Sequence, residues 1–399
     1  MQTLLWVYIL IAGVPWAGLC AGILITRSRQ RRMFRDPPPL PSPPPHVTIV
    51  TPAKDEADHI EACVLGLLKQ DYASFDVRVI DDRSTDGTGD ILDGLLREHR
   101  SGAEAPGLSA PGLSVRHITE LPREWLGKCH ALHEGTRDIA SPWLLFVDSD
   151  VSIEPAALSR TLATAISRGY DAVSLLPRLE GRSFWERLMI PLCGVAWGIM
   201  FLMQWTNNDR RRKYAVANGQ FFLVRREAYE KVDGHRGVRN QIVEDVELMR
   251  ALKSAGFKCR LLLAPHLVAT RMHATLAELK SGWGRIYSGT ARYRRGPMVG
   301  AIAFTIVGGL SVYPALAWGG FTAIAHHDLR WLAAAGVHWV LMTVFLAYFY
   351  RAARVSIGYA VLPMVSFTVL IALLWQAVKR CRDRTFAWRG TAVEIPRSS

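Results

Sequence analysis

Long apolar runs hold the two ends of the chain, and short apolar runs parted by polar turns fill its middle. Thr3 to Ile25 carries no charge. Its roughly 23 residues would make a helix of ~34 Å, enough to span a bilayer. Met298–Ala325, Trp331–Tyr350 and Val355–Val378 repeat that character, so 298–378 reads as a membrane region. Met298–Ala325 is broken by Gly308-Gly309, Pro314 and Gly319-Gly320, a pattern suited to a re-entrant segment or bent hairpin. Phe184–Trp205 is apolar but interrupted by Glu186, Arg187 and Pro191, which predicts a helix lying in the membrane interface.

The middle of the chain has the periodicity of strands alternating with helices. Val47–Ala53 predicts a strand, followed by a helix through Ile60, Val64, Leu67 and Leu68 with Asp58 and Glu61 placed as a capping box. Val77–Ile80 predicts a second strand stopping at Asp81-Asp82, then a polar turn and a helix through Ile91-Leu92 and Leu95-Leu96. A strand at Ser114–Ile118 and a helix through Ala131 and Leu132 precede the buried strand Trp143–Val147, which ends in Asp148-Ser149-Asp150. Phe221–Val224 predicts a strand leading into Arg225–Val232, and Glu244-Asp245 opens a helix through Leu248, Leu252 and Phe257. Acidic groups at strand C-terminal ends in a β-α-β-α order predict an α/β sheet with its ligand in the crevice there.

Composition adds a frame. The chain has 399 residues, half of them apolar, enough for one large soluble domain plus membrane segments. Much of the excess behind the formal charge of +13 flanks the apolar segments, where Lys and Arg meet anionic lipid head groups, and does not point to nucleic acid. Arg27, Arg29, Arg31, Arg32 and Arg35 follow the first apolar run. A signal peptide carries its charge ahead of such a run, so 3–25 reads as an anchor with the next domain in the cytoplasm. Lys379, Arg380, Arg382, Arg384 and Arg389 would hold the tail, 379–399, in the cytoplasm too. Four simple crossings would place that tail outside, so the two expectations conflict. Asp36–Pro45, within the basic and Pro-rich linker 26–46, predicts a semi-rigid polyproline spacer. Ser101–Ser114 repeats Pro-Gly-Leu-Ser and predicts a flexible surface loop. The six cysteines are scattered without a Cys-x-x-Cys pair, which suits a reducing compartment rather than zinc or a disulfide framework.

Candidate chemistry sits at the element ends. Asp148-x-Asp150 offers two carboxylates to a hard divalent cation and a diphosphate, though Asp-Ser-Asp is also ordinary turn chemistry. Gly127-Lys128 before a helix suits a phosphate. Asp245 at a helix start also has the bland reading of a cap.

Taken together, Thr51-Pro52-Ala53-Lys54-Asp55-Glu56, Asp81-Asp82-x-Ser84-x-Asp86-Gly87-Thr88, Gly127-Lys128, Asp148-x-Asp150, Asn218-Gly219-Gln220 and Glu244-Asp245 follow an order and approximate spacing that resemble family 2 glycosyltransferases. The resemblance covers about Val47 to Thr290. Asn218-Gly219-Gln220-Phe221 and Gly282-Trp283-Gly284-Arg285 make the chain similar to membrane-anchored bacterial enzymes that glycosylate lipids, such as carotenoid (diaponeurosporenoate-type) glycosyltransferases. Similarity to hopanoid-associated and ceramide enzymes is looser.

The resemblance implies a GT-A, Rossmann-like catalytic domain over 47–290, a nucleotide-sugar donor (UDP-linked), and Mg²⁺ or Mn²⁺. By motif, Pro52, Asp55, Glu56, Asp81 and Asp82 would line the nucleoside pocket. Asp148 and Asp150 would meet sugar and metal, and Lys128 would help at the diphosphate. Asp245, beside Glu244, would be the base of an inverting displacement, with Asn218, Gly219, Trp283 and Arg285 at the acceptor or sugar. Family members often carry Asn where Asp55 and His133 stand, and Thr or Glu where Val243 stands. Gly282-Trp283-Gly284-Arg285 replaces the Gln-x-x-Arg-Trp of processive synthases, which weighs against a polymerising enzyme. Trp388-Arg389-Gly390-Thr391 resembles a Trp-Lys/Arg-Gly-Arg ending of related enzymes. The expectation is a membrane enzyme with a cytoplasmic catalytic domain and a lipid-like acceptor. Its rivals are a processive polysaccharide synthase and a non-catalytic membrane scaffold with a relic fold.

Overall fold

The computed structural model describes residues 2–22, 39–103, 111–201, 205–212, 214–383, 385–388 and 391–394. The Arg27–Arg35 cluster, the first part of the Pro-rich linker, residues 104–110 of the Ser101–Ser114 loop, and Arg384, Arg389 and Gly390 of the tail lie outside the described residues. The chain divides into two units: residues 30–179 with 203–272, and residues 1–29 with 180–202 and 273–399.

The first unit is α/β. Its strands are β1 (Val47–Ala53), β2 (Phe75–Asp82), β3 (Gly112–Ile118), β4 (Trp143–Phe146), β5 (Val151–Ile153), β6 (Ala172–Leu176), β7 (Arg178–Leu179), β8 (Phe222–Arg225), β9 (Cys259–Leu263) and β10 (Val268–Thr270). Its helices are α1 (Ile60–Leu68), α2 (Thr88–Ala103), α3 (Gly127–Thr136), α4 (Ala157–Arg168), α5 (Arg226–Lys231) and α6 (Glu244–Ser254). Seven strands form one sheet in the order β3-β2-β1-β4-β8-β6-β9, and β5, β10 and β7 form a smaller one. Strands β3, β2, β1 and β4 run parallel. Strand β8 is antiparallel to both neighbours, and β9 is parallel to β6, so the central sheet is mixed.

Alternation along the strands explains the two cores. Successive side chains point to opposite faces. Ile49, Val77, Val79 and Leu145 therefore pack on one face with Ile60, Val64, Leu92, Leu158 and Leu162 of α1, α2 and α4. Val50, Ile80, Leu144 and Phe146 pack on the other with Ala131 and Leu132 of α3 and Leu248 and Leu252 of α6. Both faces are covered, which is why β1 reads as a continuous apolar run. Gly135 lets α3 approach closely, since a Cβ there would meet Val50 at 2.5 Å and Ile80 at 3.0 Å.

The predicted capping box at Asp58 and Glu61 does not form. His59 is the N-cap of α1 and no side chain caps it. The loop after β1 turns so that the Glu56 carbonyl accepts from the N–H groups of His59 and Ile60, both at 2.9 Å. That turn supplies acceptors that the capping side chain would have offered.

The second unit is helical. Gln2–Gly22, Gly296–His326, Arg330–Ala352 and Pro363–Arg382 are long and apolar enough to cross a membrane. Gly296–His326 is a single 31-residue helical stretch, not the hairpin its glycines suggest. Its Gly308-Gly309 lie in a π-helical turn, Thr305–Leu310. The Gly308 carbonyl accepts from the Trp16 indole and, at 2.8 Å, from His338 Nε2. Those side chains satisfy a carbonyl the widened turn presents to them.

The expected Phe184–Trp205 segment forms a helix over Phe184–Met200, started by a capping box of Ser183 and Glu186. Leu188 to Cys193 are buried. Carbonyls of Leu188 and Cys193 accept from Tyr350 at 2.8 Å and Tyr287 at 2.9 Å. Helix Leu276–Thr290 packs in the same unit, capped by Thr275, and Arg380 Nη2 donates to its Ser281 at 3.1 Å. The six cysteines are free.

Candidate active site

The loops that follow β1 and β2 are tied to each other. Asp55 has φ 51° and Arg83 φ 58°, a left-handed region that costs non-glycine residues energy and is held only when surroundings enforce it. Here they do. Lys54 Nζ donates to the carbonyls of Asp82 at 3.2 Å and Arg83 at 2.9 Å. The Asp55 carboxylate accepts from the Thr85 N–H at 2.8 Å, and the Ala57 N–H donates to Asp86 at 2.9 Å. The Glu56 N–H donates to the Thr88 hydroxyl at 2.8 Å. The Thr85 bond outweighs burial, which acts the other way, and holds the Asp55 carboxyl below its ordinary range. Pro52 closes the strand opposite Ile80.

Asp81 and Asp82 are both buried, at 6% and 3% exposure, and both are occupied. Asp81 accepts from His117 Nδ1 at 2.9 Å and from the Ser84 N–H at 3.3 Å. Asp82 accepts from Arg83 through both oxygens, at 2.7 Å from Nε and 3.0 Å from Nη2. The resemblance implies that Asp82 lines the nucleoside pocket; in the structure both its oxygens accept from the next residue.

A second cluster forms where β4, α3, β8 and α6 meet. Lys128, at the second position of α3, places Nζ 2.7 Å from Asp148 and 2.7 Å from Glu244. Gly219, just before β8, donates its N–H to Asp245 Oδ2 at 2.6 Å, and the Val246 N–H donates to Oδ1 at 2.8 Å. A Cβ at Gly219 would stand 3.2 Å from Lys128 Nζ and 3.4 Å from Asp245 Cβ, so glycine lets the backbone reach the carboxylate. Asn218 turns back on its own loop: its Oδ1 accepts from the Gln220 N–H at 2.8 Å, and its N–H donates to Ser174 at 2.8 Å. A cleft here is lined by Lys128, Asp148, Gly219, His235, Glu244 and Asp245 among others.

Charge in the cluster follows from burial and neighbours. Burial, then the negative charge of Glu244, pushes the Asp245 carboxyl up to about 7. Burial, then Asp148 and Glu56, pushes Asp150 up to about 6. Burial alone would lower Lys128, but Asp148, Glu244 and Asp245 hold its ammonium well above the ordinary range. A carboxylate whose pKa stands near neutrality is tuned for accepting a proton.

A divalent cation is a fair fit at Asp150 and Asp148. No group of three or more His, Cys, Asp or Glu side chains among the described residues makes a closed metal cage. Mg²⁺ characteristically takes one or two carboxylates and completes its shell with substrate phosphates and water. Asp150, raised by burial and then by the like charge of Asp148 and Glu56, has the electrostatic demand that a cation would satisfy.

Of the residues singled out in the sequence, those from Pro52 to Asp245 all lie in the α/β unit. Trp283 and Arg285 lie on helix Leu276–Thr290 of the helical unit, where Trp283 is buried. Two residues were missed. His235 lines the cleft, and burial, then Lys128, pushes its imidazole down to about 3. Its Nδ1 sits 2.8 Å from the Tyr229 hydroxyl, and its ring meets Phe146 edge-on. A single histidine in a Gly-containing turn carries no pattern that marks it. Arg83 occupied an unspecified position of a motif, and only its fork on Asp82 reveals it.

A family model described as glycosyltransferase like family 2 matches residues 43–281. No curated protein matches the chain. Among solved structures, the mannosyltransferase PcManGT of Pyrobaculum calidifontis, in complex with GDP-Man and Mn²⁺, is similar with a TM-score of 0.54 and 18% identity, over 94% of this chain and 99% of that one. TarS 1–349 of S. aureus has a TM-score of 0.41 and 14% identity, over 88% of this chain and 97% of that one. The glucosyl-3-phosphoglycerate synthase of Mycobacterium tuberculosis, in complex with Mn²⁺, UDP and glucosyl-3-phosphoglycerate, has a TM-score of 0.39 and 17% identity, over 62% of this chain and 80% of that one. The first of these shares the fold; the other two are too distant to carry more.

Proposed function

The chain belongs to glycosyltransferase-like family 2, with a GT-A α/β fold, and we propose that it moves one sugar from a nucleotide-sugar donor to a lipid-like acceptor in the membrane, with inversion. The observation that carries this reading is Asp245. Its carboxyl is raised to about 7 and its oxygens are fixed by two backbone N–H groups. It stands with Glu244 and Asp148 around one lysine.

In this reading Asp245 takes the proton of an acceptor hydroxyl as that oxygen bonds to the anomeric carbon. The bond between that carbon and the diphosphate breaks, and its electron pair leaves with the phosphate. A base on the face opposite the leaving group means inversion. Lys128 supplies positive charge where the leaving diphosphate becomes more negative. A divalent cation held by Asp150 and Asp148 would neutralise the rest of that charge. General-base help of this kind is worth ~10²–10⁴-fold. Four helices apolar enough to cross a bilayer support a membrane enzyme whose acceptor is lipid-soluble, with the α/β unit in the cytoplasm. Trp283 and Arg285 are assigned to the acceptor by motif. A uridine donor remains the expectation from resemblance, and GDP-Man in the similar mannosyltransferase makes guanosine its alternative.

The test is transfer of label from a panel of nucleotide sugars into an organic extract of membranes holding the full chain. Wild type should label the extract and Asp245→Asn should not, while still binding donor, and chelator should abolish label until Mn²⁺ or Mg²⁺ is restored. Near-normal transfer by Asp245→Asn would remove Asp245 as the base. Label in a water-soluble polymer would replace this reading with a processive synthase.

A further inference from the structure

We propose that Arg83 reads the nucleobase of the donor and selects a base whose edge carries carbonyl oxygens. The inference rests on the donor reading above and adds a specificity-determining residue to it. It starts from the occupied state of Asp82. A carboxylate buried after the second strand of such a sheet would suit a base N–H, but here both its oxygens are held by the Arg83 fork. The acceptor expected at this point has been exchanged for a donor.

The rest of Arg83 is built for that work. Its side chain is 26% exposed while that of Asp82 is 4% exposed, so the pair has a buried carboxylate end and an accessible guanidinium end. Nε and Nη2 bond Asp82, and Nη1 has no protein partner among the described residues. Its backbone is held in the left-handed region by Lys54, which donates to the carbonyls on either side of the residue's own N–H. Gly127 packs against the pair: a Cβ there would overlap Asp82 Oδ2 and stand 3.1 Å from Arg83 Nη2. The guanidinium plane is therefore held by Asp82 and by the start of α3, and Lys54 braces the backbone it hangs from. A fork so fixed loses little entropy when it binds.

The N–H groups left free on so fixed a guanidinium, those of Nη1 foremost, discriminate by edge chemistry. Guanine offers O6 beside N7, the usual bidentate target of arginine, and uracil offers its O4 carbonyl. Adenine and cytosine carry an amino group, N6 or N4, in place of that oxygen, which would face donor with donor at the same position. Arg83 should thus favour the keto bases, uracil and guanine, over adenine and cytosine.

The experiment is titration calorimetry on the full chain in detergent with Mn²⁺, using UDP, GDP, ADP, CDP and inorganic pyrophosphate. Wild type should bind UDP or GDP on the order of tenfold more tightly than ADP and CDP, as expected for a bidentate contact. Arg83→Gln should bring that ratio near unity and leave pyrophosphate affinity unchanged. Arg83→Lys keeps the charge beside Asp82 without the fork, so it should also lose the ratio, and it serves if Arg83→Gln does not fold. A ratio preserved in both variants, or a wild type that prefers ADP or CDP, overturns the inference while leaving the transferase reading intact. Absence of binding by any nucleotide and by pyrophosphate would overturn both.

Discussion

At the residue scale the site is a problem in shared charge. Lys128 stands 2.7 Å from both Asp148 and Glu244, and Asp245 is raised because its burial and the Glu244 charge both disfavour ionisation. The direction sets the pH profile. A base raised to about 7 is in its proton-accepting form above that pH and loses it below. Turnover as kcat/KM should therefore fall about tenfold per unit as pH drops below ~7. Glu244→Gln removes one of the two causes, so its acid limb should move to lower pH in the same assay. An unmoved limb would mean that another group titrates. The carboxylates themselves were legible in the sequence, because a strand or helix end announces itself by the apolar run beside it. Their partners were not. The pairing of Lys128 with Glu244 is decided by which loops the sheet brings together, and the fork of Arg83 on its neighbour Asp82 by the left-handed backbone of one turn.

At the element scale, the apolar runs gave β1, β2, β4 and β8 and the helices between them at nearly their true positions. The antiparallel direction of β8 was illegible, since direction in a sheet belongs to tertiary pairing and not to the pattern of one strand. Strands β6 and β9, which extend the sheet past β8, were missed because no chemical motif drew attention to their short runs. The close seat of α3 on β1 and β2 makes a contrast between two helical glycines. Alanine at Gly66 of α1 meets nothing within 4 Å and should raise stability by up to ~1 kcal/mol. Alanine at Gly135 gains the same propensity but forces a Cβ to 2.5 Å from Val50, an overpacking that typically costs ~1–3 kcal/mol. Thermal unfolding of both variants in detergent should move in opposite directions or differ by that amount. Equal shifts would show that α3 is free to retreat.

At the scale of the whole molecule, the conflict between four crossings and a basic tail turns on the path of the last long helix. Helix Leu276–Thr290 follows the α/β unit with no spanning helix between them, and Arg380, near the end of the last long helix, donates to its Ser281 at 3.1 Å. Midway along, a Cβ at Gly309 would meet the Phe367 ring at 2.5 Å, so Pro363–Asp383 runs back along the first part of Gly296–His326. The last helix thus finishes beside the point where the membrane region begins. We predict that the tail and the α/β unit share one side of the membrane. Single cysteines placed at Ser398 and at Glu98 should react with an impermeant maleimide under the same conditions, open vesicles or sealed; labelling from opposite sides would defeat the arrangement.

One bond, from Arg380 to Ser281, therefore bears on how the protein is made. If the chain enters and leaves its membrane region on one face, the turn between His326 and Arg330 is carried across. Asp328 there is already paired with Arg330, at 2.9 Å, so the charge exported during insertion is close to neutral. The insertion machinery would then have little to push through, and every group the reaction needs would be synthesised, folded and kept on the side where nucleotide sugars are made.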